Sequence, residues 1–130
     1  VLAVHQLYGR QSHAIDSGRA ADWAATFTSD GEFRSPSYPE PSTGTAELTA
    51  FAERFHAACV ESGEALHHVI STVDVAATGP DALTSTAYLQ IVGTPRGESS
   101  RLLRITTIVD ELVRTPGGWR IRRRVVLRDG

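Results

Sequence analysis

The chain has 130 residues, one cysteine, and thirteen basic against fifteen acidic residues, for a net charge of −2 and a pI near 6.2. That length suits a single domain over residues 1–130, able to hide about two thirds of its unfolded surface. The acidic balance argues against a nucleic-acid binder, and the lone Cys59 excludes an internal disulfide framework.

The first third reads as helical. Over residues 1–17, Leu2, Val4, Tyr8 and Ile15 keep a loose helical spacing, and Gly18 ends the segment. A second short helix is expected over 19–27, carrying Ala20, Trp23 and Phe27. Asp30-Gly31 marks a turn, and Glu32–Ser35 a short strand. Residues 35–43 hold Pro36, Pro39 and Pro41, whose missing N–H donors predict a rigid loop. Residues 45–62 make the clearest helix. Thr45 is the expected cap, Gly63 the stop, and Leu48, Phe51, Phe55 and Cys59 form one apolar stripe.

From residue 65 the period changes to two. Leu66–Thr78, Ala82–Thr94, Ser100–Thr115 and Trp119–Arg128 read as strands rich in Val, Ile and Thr. Their short connections, Thr78-Gly79-Pro80-Asp81, Pro95-Arg96-Gly97-Glu98 and Pro116-Gly117-Gly118, imply antiparallel neighbours. Helices followed by strands predict an α+β fold: a curved antiparallel sheet, cone-shaped, with about three N-terminal helices packed in its concave face. No apolar run approaches the roughly 20 residues that cross a bilayer, and no signal-peptide pattern opens the chain. No membrane association is expected, and a reducing cytoplasm is the expected compartment.

Several chemistries fall away on residue type. All thirteen basic residues are arginine, and there is no lysine, asparagine or methionine. Schiff-base catalysis on lysine is therefore impossible. The five histidines include no His-x-x-x-His pair, so no metal site is expected. Neither a Gly-x-Ser-x-Gly elbow nor a Gly-rich phosphate cradle occurs.

The segments Asp16-Ser17-Gly18, Trp23, Phe27-Thr28-Ser29-Asp30-Gly31, His67-His68-Val69-Ile70-Ser71-Thr72 and Asp110…Pro116-Gly117-Gly118-Trp119-Arg120-Ile121…Arg124 together resemble the nuclear transport factor 2-like superfamily. The nearest branch is the SnoaL-like group, which includes bacterial polyketide cyclases and is related to scytalone dehydratase. The resemblance covers essentially the whole chain. It implies an enzyme without a cofactor, a cyclase, isomerase or dehydratase of secondary metabolism acting on a hydrophobic polyketide-like or cyclic carbonyl compound. It also implies a homodimer formed through the sheet face. A non-catalytic binding or dimerisation module of the same fold is the alternative.

By that resemblance Asp16 and His68 form the catalytic pair, the carboxylate holding one ring N–H so that the other nitrogen can move a proton. His67 and His68 face opposite sides of a strand, so only one can point into the cone, and the choice of His68 depends on register. Arg104, Thr106, Ile108 and Asp110 share one face of the third long strand, which by resemblance lines the cavity. Asp110 is either an added acid–base group or the partner of one of Arg122–Arg124. Trp23, Phe33, Phe51, Phe55 and Tyr88 are candidate apolar walls, and Tyr38 a rim residue on the proline-rich loop. Arg120, Arg122, Arg124 and Arg128 share a parity expected to face solvent. The pattern departs from scytalone dehydratase in two places. No second histidine occurs between Ala82 and Thr94, and the expected pocket tyrosine falls near Ser35, with Tyr38 close by.

Overall fold

A computed structural model describes all 130 residues. The elements are α1 (Leu2–Asp16), α2 (Ala20–Ala24), β1 (Phe27–Arg34), β2 (Ser42–Thr43), α3 (Gly44–Ser62), β3 (Glu64–Gly79), β4 (Ala82–Pro95), β5 (Arg101–Thr115) and β6 (Gly118–Leu127). The strands form one sheet in the order β2-β1-β6-β5-β4-β3. All pairs are antiparallel except β1 with β6, which run parallel. The sheet is therefore mixed, and it is curved but not closed: β2 and β3 are its free edges. The expected all-antiparallel sheet is corrected at β1, beside which β6 returns only after β2, α3 and three long strands have intervened.

The four long strands stand within two residues of their expected limits, because alternation and turn residues define them locally. The N-terminal region differs more. Asp30-Gly31 lies inside β1, at an irregularity between Phe27 and Glu32, and not at a turn between elements. Phe27 opens that strand and does not close α2. Thr43, and not Thr45, precedes α3. Its backbone N–H donates to the Glu47 carboxylate at 2.9 Å, so the acidic side chain satisfies a donor at the helix entrance. Gly63 ends α3 in the left-handed conformation, φ 70°.

Bulges set the curvature and the facing of the site residues. On β3 the register shifts between Ser71 and Asp74, and Thr72 takes φ 55°. A β-branched residue with positive φ is strained, and the bend it makes lets β3 wrap around α1. Before this bulge the even residues Leu66, His68 and Ile70 face inward; after it Val73 and Val75 do. On β6, Arg122 is the extra residue: Leu112 pairs with Ile121 but Glu111 pairs with Arg123. The parity of the strand reverses there. Ile121 is wholly buried and Arg124 is 3% exposed. The expected outward stripe of Arg120, Arg122, Arg124 and Arg128 is thus broken, with Arg124 turned inside.

The helices cover the concave face, α1 along β3 and α3 along β1. Leu7, Leu48, Ile108, Leu112 and Ile121 fill the centre, each at most 2% exposed. Gly18, at φ 80°, turns the chain from α1 to α2. A Cβ there would lie 2.7 Å from the His56 ring. The positive φ calls for glycine here, and any side chain would also have to displace the His56 ring.

Candidate functional site

Asp16 is the last residue of α1, and its carboxylate reaches the edge strand β3. It accepts the backbone N–H of His68 with both oxygens, at 3.1 and 3.2 Å. Its Oδ1 also lies 2.6 Å from Nδ1 of the His68 ring. Two anchors on one carboxylate hold the imidazole in a single pose. Because the carboxylate is the acceptor, Nδ1 carries the proton, and in the neutral ring Nε2 is left with its lone pair. Nε2 has no hydrogen-bond partner in the protein and is not sealed from solvent. The two side chains are only 12% and 13% exposed, so the pair sits in a partly dehydrated setting where the hydrogen bond to the carboxylate is strengthened. His67, one residue away, points outward, as strand alternation requires.

His68 lines an inner cavity of about 60 Å³. The Phe55 ring stacks against it at 5.1 Å. Trp23, Phe33, Phe51 and Tyr38 form the aromatic wall, with centroid separations of 5.5 Å for Trp23–Phe51 and 4.8 Å for Phe33–Phe51. Tyr38, 41% exposed, meets Phe51 edge-on at 5.1 Å. The proline-rich loop that carries it is tied across the mouth by Arg104, whose Nη1 donates to Ser37 Oγ at 3.0 Å. Outside this neck lies a groove of about 470 Å³, sharing Tyr38, Phe51 and Phe55 with the inner cavity and continuing past Cys59, Leu66 and Leu103. Burial, reinforced by the charges of Asp16 and Glu64, pushes the Cys59 thiol up, which leaves it a poor nucleophile.

The candidate residues from the sequence divide clearly. Trp23, Phe33, Tyr38, Phe51, Phe55, Thr106 and His68 line the inner cavity, while Asp16 stands behind the imidazole. Tyr88 does not: it projects from the opposite face of β4 and is 45% exposed. Ile108 and Asp110 share the inward face of β5 with Thr106, but both are wholly buried below the cavity floor. Thr106 Oγ1 leans toward the Leu89 carbonyl at 3.4 Å.

Asp110 belongs to a buried polar cluster. Arg124 grips it with a two-pronged contact, Nε to Oδ1 and Nη2 to Oδ2, both at 2.9 Å. The Tyr8 hydroxyl donates to Oδ2 at 2.6 Å. Ser85 Oγ lies 2.9 Å from the same phenol oxygen. The phenol's one proton serves the carboxylate, so the serine supplies the proton of that bond. Burial pushes the Tyr8 phenol far above its ordinary range, with the Asp110 charge adding to the effect and Arg124 opposing it. Burial alone would weaken the Arg124 cation, but Asp110 more than reverses this and holds it charged. Arg124 also lines the inner cavity; the sequence names it only as one of three possible partners of Asp110, because the bulge at Arg122 that turns it inward involves neither glycine nor proline. Ser35 and Ser37 join Tyr38 at the cavity rim, on the loop whose sequence offers Tyr38 alone as a rim residue.

No group of three or more His, Cys, Asp or Glu side chains converges in the chain, and no helix is long and apolar enough to cross a membrane.

A family model described as the SnoaL-like domain matches residues 1–125. Among solved structures, ActVI-ORFA from Streptomyces coelicolor superposes with a TM-score of 0.87 at 29% identity, over 98% of this chain and 96% of that one. Aln2 from a Streptomyces species gives 0.85 at 28% identity, over 98% and 89%. A Catenulispora acidiphila protein in complex with S-DNPA gives 0.83 at 25% identity, over 96% and 90%. No curated protein matches the chain. With the curved sheet, the three helices on its concave side and a family match over nearly all its length, the chain belongs to the SnoaL-like domain family of the nuclear transport factor 2-like superfamily.

Proposed function

We propose that the protein is an acid–base enzyme needing no cofactor, a cyclase, isomerase or dehydratase of secondary metabolism, acting on a hydrophobic polyketide-like or cyclic carbonyl compound. The observation that carries this reading is the 2.6 Å Asp16–His68 contact at the wall of an aromatic cavity. With Nδ1–H held by the carboxylate, Nε2 takes a proton from the carbon beside a carbonyl, and the electron pair moves onto oxygen as an enolate. The imidazolium then returns the proton. Given to a leaving hydroxyl it completes dehydration; given to another carbon it completes isomerisation. Membership of a family that includes polyketide cyclases supports the substrate class.

The inner cavity is small beside the roughly 300–1,000 Å³ of drug-sized sites. The reacting carbonyl therefore enters past Tyr38 while the rest of the molecule lies in the outer groove. That the larger outer groove is not lined by His68 favours the second reading, a binding module that performs no chemistry. Incubating the protein with cyclic ketones and polyketide fragments in D₂O separates the two. Deuterium should enter beside the carbonyl, followed by proton NMR, and His68→Ala should stop it. Binding without exchange in the unaltered protein selects the second reading.

The convex sheet face carries exposed Val69, Tyr88, Ile105 and Leu127. An apolar sheet face of this kind supports a homodimer formed sheet to sheet. Sedimentation should give twice the chain mass, falling to one chain in Ile105→Glu with the fold retained.

A further inference from the structure

The inner cavity has a cationic wall that proton transfer at His68 does not itself require. Arg124 is 3% exposed, and its Nε and Nη2 serve Asp110. Nη1 makes no hydrogen bond within the protein. Gln11 Oε1 is the only side-chain polar atom both sealed and unpartnered, so Nη1 is not sealed, and the cavity that Arg124 lines is the one that His68 lines. A buried ion pair is a poor source of stability, since well-packed apolar residues often serve a core as well or better. An ion pair in the lining of a mostly apolar cavity, with one guanidinium nitrogen left without a partner in the protein, has a use beyond packing.

We infer that Arg124 is the oxyanion donor of this site, its Nη1 N–H groups receiving the carbonyl oxygen of the substrate as negative charge builds there. The inference rests on the acid–base reading of His68 and assigns the other half of that step. The C–H bond beside the carbonyl breaks and its proton goes to His68 Nε2. The bonding pair forms the carbon–carbon double bond, and the carbonyl π pair moves to oxygen, where Arg124 holds it. Other donors are worse placed. The Thr106 hydroxyl leans on the Leu89 carbonyl; Arg104, the other cation of the lining, is exposed and donates to Ser37; and Ser37 and Tyr38 are themselves exposed at the rim. Asp110 and Tyr8 are positioning residues that hold the guanidinium fork rigid, so the donor needs no reorganisation as charge develops. The ligand class this site prefers is a planar ring bearing an ionised oxygen, an enolate or a phenolate.

The probe is 4-nitrophenol, whose ionised form absorbs at longer wavelength than the neutral one. A donor at Arg124 should bind the phenolate about tenfold more tightly than the phenol, so the bound probe ionises about one pH unit below the free one. His68→Gln should keep this shift while losing deuterium exchange, so failure of the acid–base reading shows as exchange persisting in that variant, apart from the shift. The double variant Asp110→Asn with Arg124→Gln replaces the ion pair by a neutral amide pair of similar shape and should abolish the shift, with circular dichroism confirming the fold. If that variant does not fold, Arg124→Lys decides, because its ammonium is drawn onto Asp110 and most of the shift should vanish. The inference is overturned by a probe that does not bind, by a bound probe no more ionised than the free one, by loss of the shift in His68→Gln, or by an undiminished shift in the deciding arginine variant.

Discussion

Asp110→Ala is expected to destabilise the fold by roughly 3–5 kcal/mol, a large share of the about 5–15 kcal/mol that holds a domain together. The carboxylate is wholly buried and satisfies Arg124 twice and Tyr8 once. Removing it leaves a buried guanidinium that cannot lose its charge and has lost both of its partners, while the phenol keeps only Ser85 Oγ. Urea unfolding followed by circular dichroism measures the loss, and a change below about 1 kcal/mol would mean that water compensates the exposed cation. The same cluster sets an alkaline limit. Burial, then the charge of Asp110, keeps the Tyr8 phenol protonated in the fold well above the ordinary 10.0, while in the unfolded chain it ionises near that value. Above pH 10 the unfolded state therefore binds fewer protons than the folded one, and stability falls as pH rises. Tyr8→Phe, less stable near neutrality for want of the bond to Asp110, should lose less on going from pH 9 to pH 11.

Why Asp110 proves structural shows what was legible in the sequence. The strands β3 to β6 and the helix α3 were readable because alternation, helical spacing and Gly-Pro punctuation act over a few residues. His68 and Thr106 rest on the family resemblance, which supplies the inward face; strand parity adds only that His67 and His68 cannot both point inward. Parity fails where a strand carries an extra residue. The bulge at Arg122 leaves no trace in Arg122-Arg123-Arg124, so the residue that turns inward among three identical neighbours could not be named. Depth was equally hidden. Thr106, Ile108 and Asp110 share a face, but only the first reaches the cavity, because the helices close over the lower part of the sheet. Tyr88 was chosen for its aromatic ring, yet its even position on β4 places it opposite the odd, inward residues Ala87, Leu89 and Ile91. The parallel pairing of β1 with β6 joins segments about ninety positions apart in the chain, a distance at which no local pattern operates.

Asp16→Asn is expected to lower turnover by roughly 10²–10⁴ while leaving the fold intact. The amide is nearly the same shape as the carboxylate, and its oxygen can still accept the His68 backbone N–H that Asp16 now holds at 3.1 Å. Its NH₂ group then faces Nδ1. A donor facing Nδ1 selects the tautomer in which Nδ1 is the acceptor and Nε2 carries the proton, so the nitrogen beside the cavity can no longer accept one. Nor can the neutral amide stabilise the imidazolium that proton transfer creates. His68→Ala should lose at least as much, and the double variant little more, because the two residues act as one unit. That non-additivity is the measurement that matters. If each single variant lost only tenfold and the losses multiplied in the double, Asp16 and His68 would be contributing separately, the carboxylate as an anchor of α1 to β3 and the ring as part of the wall. Deuterium exchange on one ketone, run on all three variants beside their urea midpoints, distinguishes the cases, because separate contributions give small losses that multiply in the double variant, whereas a coupled pair gives one large loss shared by all three with the midpoints nearly unchanged.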